Sequence, residues 1–318
     1  MPTHTKKPVI VIGGPTASGK SATAMDVAEE FNGVIINADS MQIYDKLRIV
    51  TARPSIEDET RISHRLYGVM DPSETCSAGH WEKLCIDEIE KVWAEGKVPI
   101  ITGGTGLYIK TLVEGISKLP PIPDEIRETI RRRADKDGIE VLYAELQEKD
   151  SEMAVRLQPR DAQRICRALE VFEATGRSLA VLQREIKPKP ALDANFVTHV
   201  IMPPRDILYQ RCDSRFDIML EQGAIEEVRE FAKLDLDPKV PAMKALGVPE
   251  LLSLVRGEAT LDEARALAQM QTRRFAKRQC TWFRNQINQV EIHSAQYSES
   301  LRDQIYNKIR HFLLTDAT

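Results

Sequence analysis

The sequence predicts an α/β protein with a parallel-sheet core, an inserted all-helical lobe and a helical C-terminal part. Three observations predict this. The β-branched run Val9-Ile10-Val11-Ile12 breaks into glycines and reads as a buried strand. Strand and helix patterns then alternate as far as Gly115, which points to a parallel sheet. Beyond it, two proline-rich joints, Leu119-Pro120-Pro121-Ile122-Pro123 and Lys187-Pro188-Lys189-Pro190, enclose a stretch with no strand candidate. Residues 1–115 thus read as the first part of the core and 116–190 as the inserted lobe, with 191–318 completing the core and adding C-terminal helices.

The bulk numbers exclude several classes. Charged residues at 29% and apolar ones at 42% are those of an ordinary globular chain, and 318 residues suffice for a full core plus a second lobe. No apolar run approaches the roughly 20 residues of a membrane span, and Met1 to Lys7 is polar, so a cytoplasmic protein without membrane contact is expected, as a monomer. The five cysteines, Cys76, Cys85, Cys166, Cys212 and Cys280, form no C-x-x-C pair, so neither a zinc site nor a disulfide framework is signalled. A net charge of −4 argues against a basic nucleic-acid coat but leaves room for local basic faces.

The first strand opens into Gly14-Pro15-Thr16-Ala17-Ser18-Gly19-Lys20-Ser21, the full G-x-x-x-x-G-K-[ST] pattern of a phosphate loop. Its glycines let backbone N–H groups point inward, and the following helix adds its positive end. Lys20 would reach the outer phosphate oxygens, and the Ser21 hydroxyl would hold Mg²⁺. The loop alone indicates a polyphosphate and leans toward ATP.

A helix follows over 21–31, with Ala24, Val27, Ala28 and Phe31 on one face, then a second strand, Val34 to Ile36. That strand ends in the polar cluster Asn37-Ala38-Asp39-Ser40-Met41-Gln42-Ile43-Tyr44, at the edge where open α/β sheets bind ligands. Asp39, read as lying beside the phosphate-loop strand, is placed to ligate Mg²⁺ or act as general base; with Ser40 it would equally make a turn or cap. Residues 51–78 read mostly as loop. A helix from Ala78 to Glu95 precedes the strand Val98 to Thr102, which runs into Gly103-Gly104-Thr105-Gly106-Leu107-Tyr108. No aspartate closes that strand, so the second Mg²⁺ carboxylate of a nucleotide hydrolase is missing, and the glycine run fails the G-x-G-x-x-G pattern.

In the lobe, the helix from Asp161 to Thr175 carries its own punctuation: Asp161 as N-cap, Gly176 as stop, and an apolar stripe of Ile165, Ala168, Leu169 and Phe172 opposite Gln163, Arg164 and Arg167. From Arg156 to Lys189 there are eight basic residues against four acids. From Arg273 to Arg284 there are five, with Phe275, Trp282 and Phe283 and no acid. Such segregation reads as a phosphate-backbone track, or as helix faces packed by charge pairs. A strand from Phe196 to Met202 returns the chain to the sheet. On the helix that follows, from Arg205 to Gln222, Arg211 and Arg215 share a flank beside Leu208, Cys212, Phe216 and Met219, either converging on an anion or standing solvated. Val290 to Ile292 reads as a last short strand before a terminal helix.

Taken together and in order, Gly14 to Ser21, Asn37 to Tyr44, Gly103 to Tyr108, Asp161-Ala-Gln-Arg164, Arg167 to Val171, Thr175-Gly176 and Thr281-Trp-Phe-Arg284 resemble the tRNA dimethylallyltransferase family. The resemblance implies that the loop, Gly14, Pro15, Thr16, Ala17, Ser18, Gly19, Lys20 and Ser21, binds dimethylallyl diphosphate with Mg²⁺. It implies alkylation of N6 of the adenosine just 3′ of the anticodon, with Asp39 as general base and Lys20 and Arg215 on the diphosphate. Ser40, Met41 and Gln42 would cradle the extruded base, Thr105 and Arg127 would contact tRNA near the entrance, and Gln163, Arg164, Ile165, Cys166 and Arg167 would meet the anticodon stem-loop. One departure stands at Gly247-Val248-Pro249-Glu250, where the family carries a glycine, an aromatic and a basic residue within a tRNA contact spanning Met243 to Val248. The competing functions are a small-molecule or nucleotide kinase, a nucleotide-gated RNA-binding module, and prenylation of free adenine nucleotides. The basic tracks favour tRNA.

Overall fold

The computed structural model describes residues 6–315, so most of the polar Met1–Lys7 segment lies outside the described residues. The chain forms two compact units, one from the residues up to Val113 with those from Ala191 onward, the other Glu114–Pro190.

The first unit is built on six parallel strands, β1 (Lys7–Gly13), β2 (Gly33–Asn37), β3 (His64–Arg65), β4 (Val98–Gly103), β5 (Ala194–Ile201) and β6 (Glu291–His293). Their order in the sheet is β3-β2-β4-β1-β5-β6. The alternation of β1 explains why it is apolar throughout. Val9 and Val11 enter one core with Trp81, Cys85 and Ile89. Ile10 and Ile12 enter the opposite one with Ala24, Val27 and Ala28, and all four β1 residues are fully buried, as expected of a strand covered on both faces. The covering helices include α1 (Lys20–Glu30) and, after a short exposed α2 (Ile56–Arg61), α3 (Ala78–Ala94) and α4 (Gly106–Glu114).

The second unit holds α5 (Asp124–Asp137), α6 (Ile139–Lys149), α7 (Ser151–Arg156), α8 (Ala162–Thr175) and α9 (Leu179–Glu185) around its own core of Ile130, Leu142, Leu146, Ile165 and Leu169. Asp161 caps α8 by accepting the Arg164 N–H, and Gly176 ends it in the left-handed conformation, φ 65. The two ends of the unit meet in a bridge between Ile116 and Lys189. The chain then returns through β5 to α10 (Arg205–Glu221), α11 (Ala224–Ala232), α12 (Val248–Val255), α13 (Leu261–Gln286) and α14 (Glu299–Thr315). None of the described helices is long and apolar enough to cross a membrane.

Two expectations change. Residues 51–78, read as mostly loop, contain α2 and the strand β3, which is too short at two residues to leave a period in the sequence. Asp39 does not lie beyond a strand adjacent to β1. β4 stands between, pairing with β1 through Ile10 to Gly13 and with β2 through Gly33 to Asn37.

Candidate active site

Three loops leave the carboxyl ends of β1, β2 and β4 side by side, and each contributes to one site. The loop after β1 bends through Gly14, where an added Cβ would lie 2.5 Å from the Ile201 carbonyl oxygen. It then passes through Ala17 at φ 61 and Gly19 at φ 97, which caps α1 without a side chain. No acid occupies the first turn of α1, so its N–H groups and dipole are uncompensated within that turn. Ser18 is fully buried with its hydroxyl unpartnered, whereas Ser21, one residue into the helix, is exposed. The Lys20 ammonium curls back to the Pro15 carbonyl at 3.3 Å. Loss of water around it lowers its pKa to about 8, against the opposing pull of Asp39 and with help from the Arg215 charge.

The loop after β2 is held by side chains of its own. The Asn37 carboxamide accepts the Asp39 N–H at 2.8 Å and donates to the Asp39 and Leu66 carbonyls, each at 3.0 Å. The Asp39 carboxylate accepts the Met41 N–H through Oδ1 at 3.0 Å, leaving Oδ2 unpartnered among the described residues. Asp39 thus makes the turn with one carboxylate oxygen, which fixes the direction of the other. From β4, Thr105 holds this loop on both sides of Asp39, its hydroxyl accepting the Ser40 N–H at 2.9 Å and its own N–H donating to the Ala38 carbonyl at 3.1 Å. The loops approach so closely that a Cβ on Gly103 would meet the Ala38 carbonyl at 2.1 Å.

α10 supplies the cations. Arg215 donates to the Thr16 hydroxyl, and Arg211 reaches Gly19, its Nη1 3.7 Å from where a Cβ there would stand. Both arginines therefore turn toward the phosphate loop. Burial lowers the Arg215 pKa, opposed by Cys212 and Asp39. A cavity of about 250 Å³ opens here. Thr16, Asp39 and Arg215 form part of its wall, and Met41, Val50, Phe216, Met219, Leu246 and Phe275 make the rest largely apolar. Lys244 and Arg278 also line it, Arg278 packing against the Phe275 ring at 5.6 Å.

A family profile described as IPP transferase matches residues 42–286. The chain belongs to the tRNA dimethylallyltransferase family. It is 51% identical over 281 residues to the tRNA dimethylallyltransferase of Rhodospirillum centenum, covering 88% of this chain and 90% of that one. To the Paramagnetospirillum magneticum protein of the same name it is 47% identical over 313 residues, 98% and 99% of the two chains. Among solved structures, the tRNA isopentenylpyrophosphate transferase of Bacillus halodurans superposes with a TM-score of 0.71 at 29% identity, over 98% of both chains. A eukaryotic dimethylallyltransferase acting on tRNA superposes with a TM-score of 0.74 at 29% identity, over 87% of this chain and 70% of that one.

Several residues expected from the family resemblance sit differently in this transferase. Ile165 is fully buried and Cys166 nearly so, both in the core of the helical lobe, so of the five residues expected to meet RNA there, Gln163 and Arg164 are exposed and Arg167 is half-buried. The face is also less open than its basic count suggests. Arg164 pairs with Asp161, Arg167 with Glu170, Arg156 and Arg184 with Glu152, and Arg177 with Glu185. Arg127 pairs with Asp124 at 3.3 Å. The Gln42 carboxamide donates to the Thr51 and Ala52 carbonyls, at 2.8 and 2.9 Å, and so braces the loop behind Met41. In the stretch 273–284, Arg273 pairs with Asp213, while Arg274, Lys277, Arg278 and Arg284 make no ion pair among the described residues. The departure at Gly247 starts a helix: Gly247 takes φ 90, Pro249 occupies the first turn and Glu250 accepts the Gly247 N–H at 3.2 Å. Lys244, Ala245 and Leu246, just before it, line the cavity. Periodicity did not mark Lys244 or Leu246; Phe275 and Arg278 lay within the basic, aromatic stretch.

Proposed function

We propose that this chain transfers the dimethylallyl group of dimethylallyl diphosphate to N6 of the adenosine just 3′ of the anticodon in tRNA, releasing diphosphate. The observation that carries the reading is the composition of the cavity: Thr16 of the phosphate loop with Arg215, the Asp39 carboxylate, and apolar side chains around a space of about 250 Å³. A prenyl diphosphate needs all three.

The chemistry follows from the residues. An exocyclic adenine amine is a weak nucleophile, so rate comes mainly from helping the leaving group depart. Lys20, Arg215 and the α1 N-terminus converge on it. As the allylic C–O bond breaks, its electron pair leaves with the diphosphate, and the amine nitrogen forms the new N–C bond. Its proton passes to Asp39. The apolar wall holds the allyl group in line and keeps water from capturing the carbon as it gains cationic character. A base in a loop must be unstacked to reach this site, and the exposed Gln163, Arg164 and Arg167 with the unpaired basic residues on α13 are the surfaces that would hold the RNA while it is.

Mg²⁺ fits the donor end: Ser21 offers an exposed hydroxyl beside the uncapped helix N-terminus, and the ion would neutralise diphosphate charge. The glycine that ends β4, Gly103, stands where a nucleotide hydrolase would carry a Mg²⁺-holding aspartate, and the basic tracks favour tRNA over the small hydroxyl acceptor of a kinase. As a tRNA enzyme the protein would act in the cytoplasm, as a monomer. The deciding measurement is transfer of label from dimethylallyl diphosphate to tRNA lacking the modification, with Mg²⁺ and no ATP. Label found only on free adenine nucleotides, or activity only with ATP as donor, refutes the assignment.

A further inference from the structure

α13 closes on the site through a single face. Gln279, Trp282 and Phe283 follow at helical spacing, and each packs against a glycine in or beside the site loops. A Cβ on Gly13 would lie 3.1 Å from the Phe283 ring, one on Gly104 2.3 Å from Gln279 Nε2, and one on Gly106 2.0 Å from the Trp282 ring. Gln279 is buried among them with its carboxamide satisfied at both ends. Its Oε1 accepts the Thr16 N–H at 2.8 Å, and its Nε2 donates to the Gly104 carbonyl at 2.8 Å. Thr16 belongs to the phosphate loop and accepts from Arg215. Gly104 precedes Thr105, which pins the backbone on both sides of Asp39.

We propose that Gln279 is a positioning residue, a strut that sets the spacing between the phosphate loop and the Asp39 base. The path runs from the Thr16 amide through the carboxamide to Gly104, and on through Thr105 to the Ala38–Ser40 backbone. Glutamine suits this role because it accepts and donates at that length. Asparagine is a methylene short, ionised glutamate only accepts, and methionine does neither. The distance between diphosphate and base decides how well nitrogen and allylic carbon are aligned, and misplacement by about 1 Å costs a reaction on the order of 100-fold.

The inference rests on the transferase reading, but one arm of its test does not. Gln279→Glu keeps the acceptor for the Thr16 N–H and sets a carboxylate against the Gly104 carbonyl; Gln279→Met removes both bonds. Hydrogen exchange at the Thr16 amide is expected to stay slow in wild type and Gln279→Glu, and to quicken at least about tenfold in Gln279→Met. In transfer assays both variants are expected to lose about 10- to 100-fold in kcat, while KM for the prenyl donor in Gln279→Glu stays within about twofold of wild type because its loop contact survives. Thr105→Ala acts on the same strut, so its loss does not multiply with that of Gln279→Met. The proposal is overturned by a Thr16 amide indifferent to Gln279→Met, by unchanged kcat in both variants, or by losses that merely track a fall in folded fraction. Should the wild type transfer nothing to tRNA, the function reading fails and the amide arm alone decides the strut.

Discussion

Lys20 yields a prediction with an opposite sign for binding and for stability. Burial sets its pKa at about 8, below the ordinary lysine value of 10.5. The ammonium is the form that meets a diphosphate, so affinity for the donor is nearly full at about pH 7 and below, and declines through pH 8 as the proton leaves. With a pKa of about 8, the charged fraction falls roughly 30-fold between pH 7 and pH 9.5, and the apparent affinity of the free enzyme falls with it. The donor's terminal phosphate, with a second pKa near 6 like other phosphate esters, stays ionised across that window and adds no trend of its own. Stability moves the other way. Between about pH 8 and 10.5 the unfolded chain binds the proton that the folded one has lost, so this lysine's contribution rises with pH, by on the order of 3 kcal/mol in total. The assay is calorimetric titration of dimethylallyl diphosphate into enzyme without tRNA at half-unit pH steps, repeated on Lys20→Arg, whose guanidinium stays charged. Wild-type affinity should fall about 30-fold while the variant stays flat. A flat wild type, or an equal fall in Lys20→Arg, refutes the reasoning.

Two further predictions concern the other partners of the reaction. Asp39→Ala should lower kcat by about 10²- to 10⁴-fold with tRNA affinity nearly intact, since in the proposed reaction its second oxygen takes the proton while its neighbours are held by Thr105; a loss confined to affinity would make Asp39 a binding residue. Arg164→Ala with Arg167→Ala should weaken tRNA binding and reduce its salt dependence, by about 0.7 to 0.9 in slope for each phosphate contact removed. An unchanged slope would remove that helix face from the RNA interface.

Much of the site was legible because its signals are local. The Gly14–Ser21 pattern, the buried strand before it, the caps of α8 at Asp161 and Gly176, and the shared flank of Arg211 and Arg215 each depend on residues within a few positions of one another. Helical spacing alone brings the two arginines to one side, and the structure adds only that this side faces the phosphate loop. The charge of the helical lobe was legible as composition, but its pairing was not. Arg156 meets Glu152 at the local helical spacing of four, but Arg184 reaches the same carboxylate across 32 positions, a separation that no local period encodes.

The sequence by itself determined the phosphate loop, the β/α alternation and the family motifs, because each is written in contiguous residues whose backbone preferences and apolar periods act over one turn or one strand. Tertiary structure alone decided that β4 stands between β1 and β2, that Gln42 braces backbone while Cys166 turns inward, and that Gln279 joins Thr16 to Gly104. Those outcomes rest on hydrogen bonds and burial between residues up to 263 positions apart, where neither spacing nor propensity carries a signal.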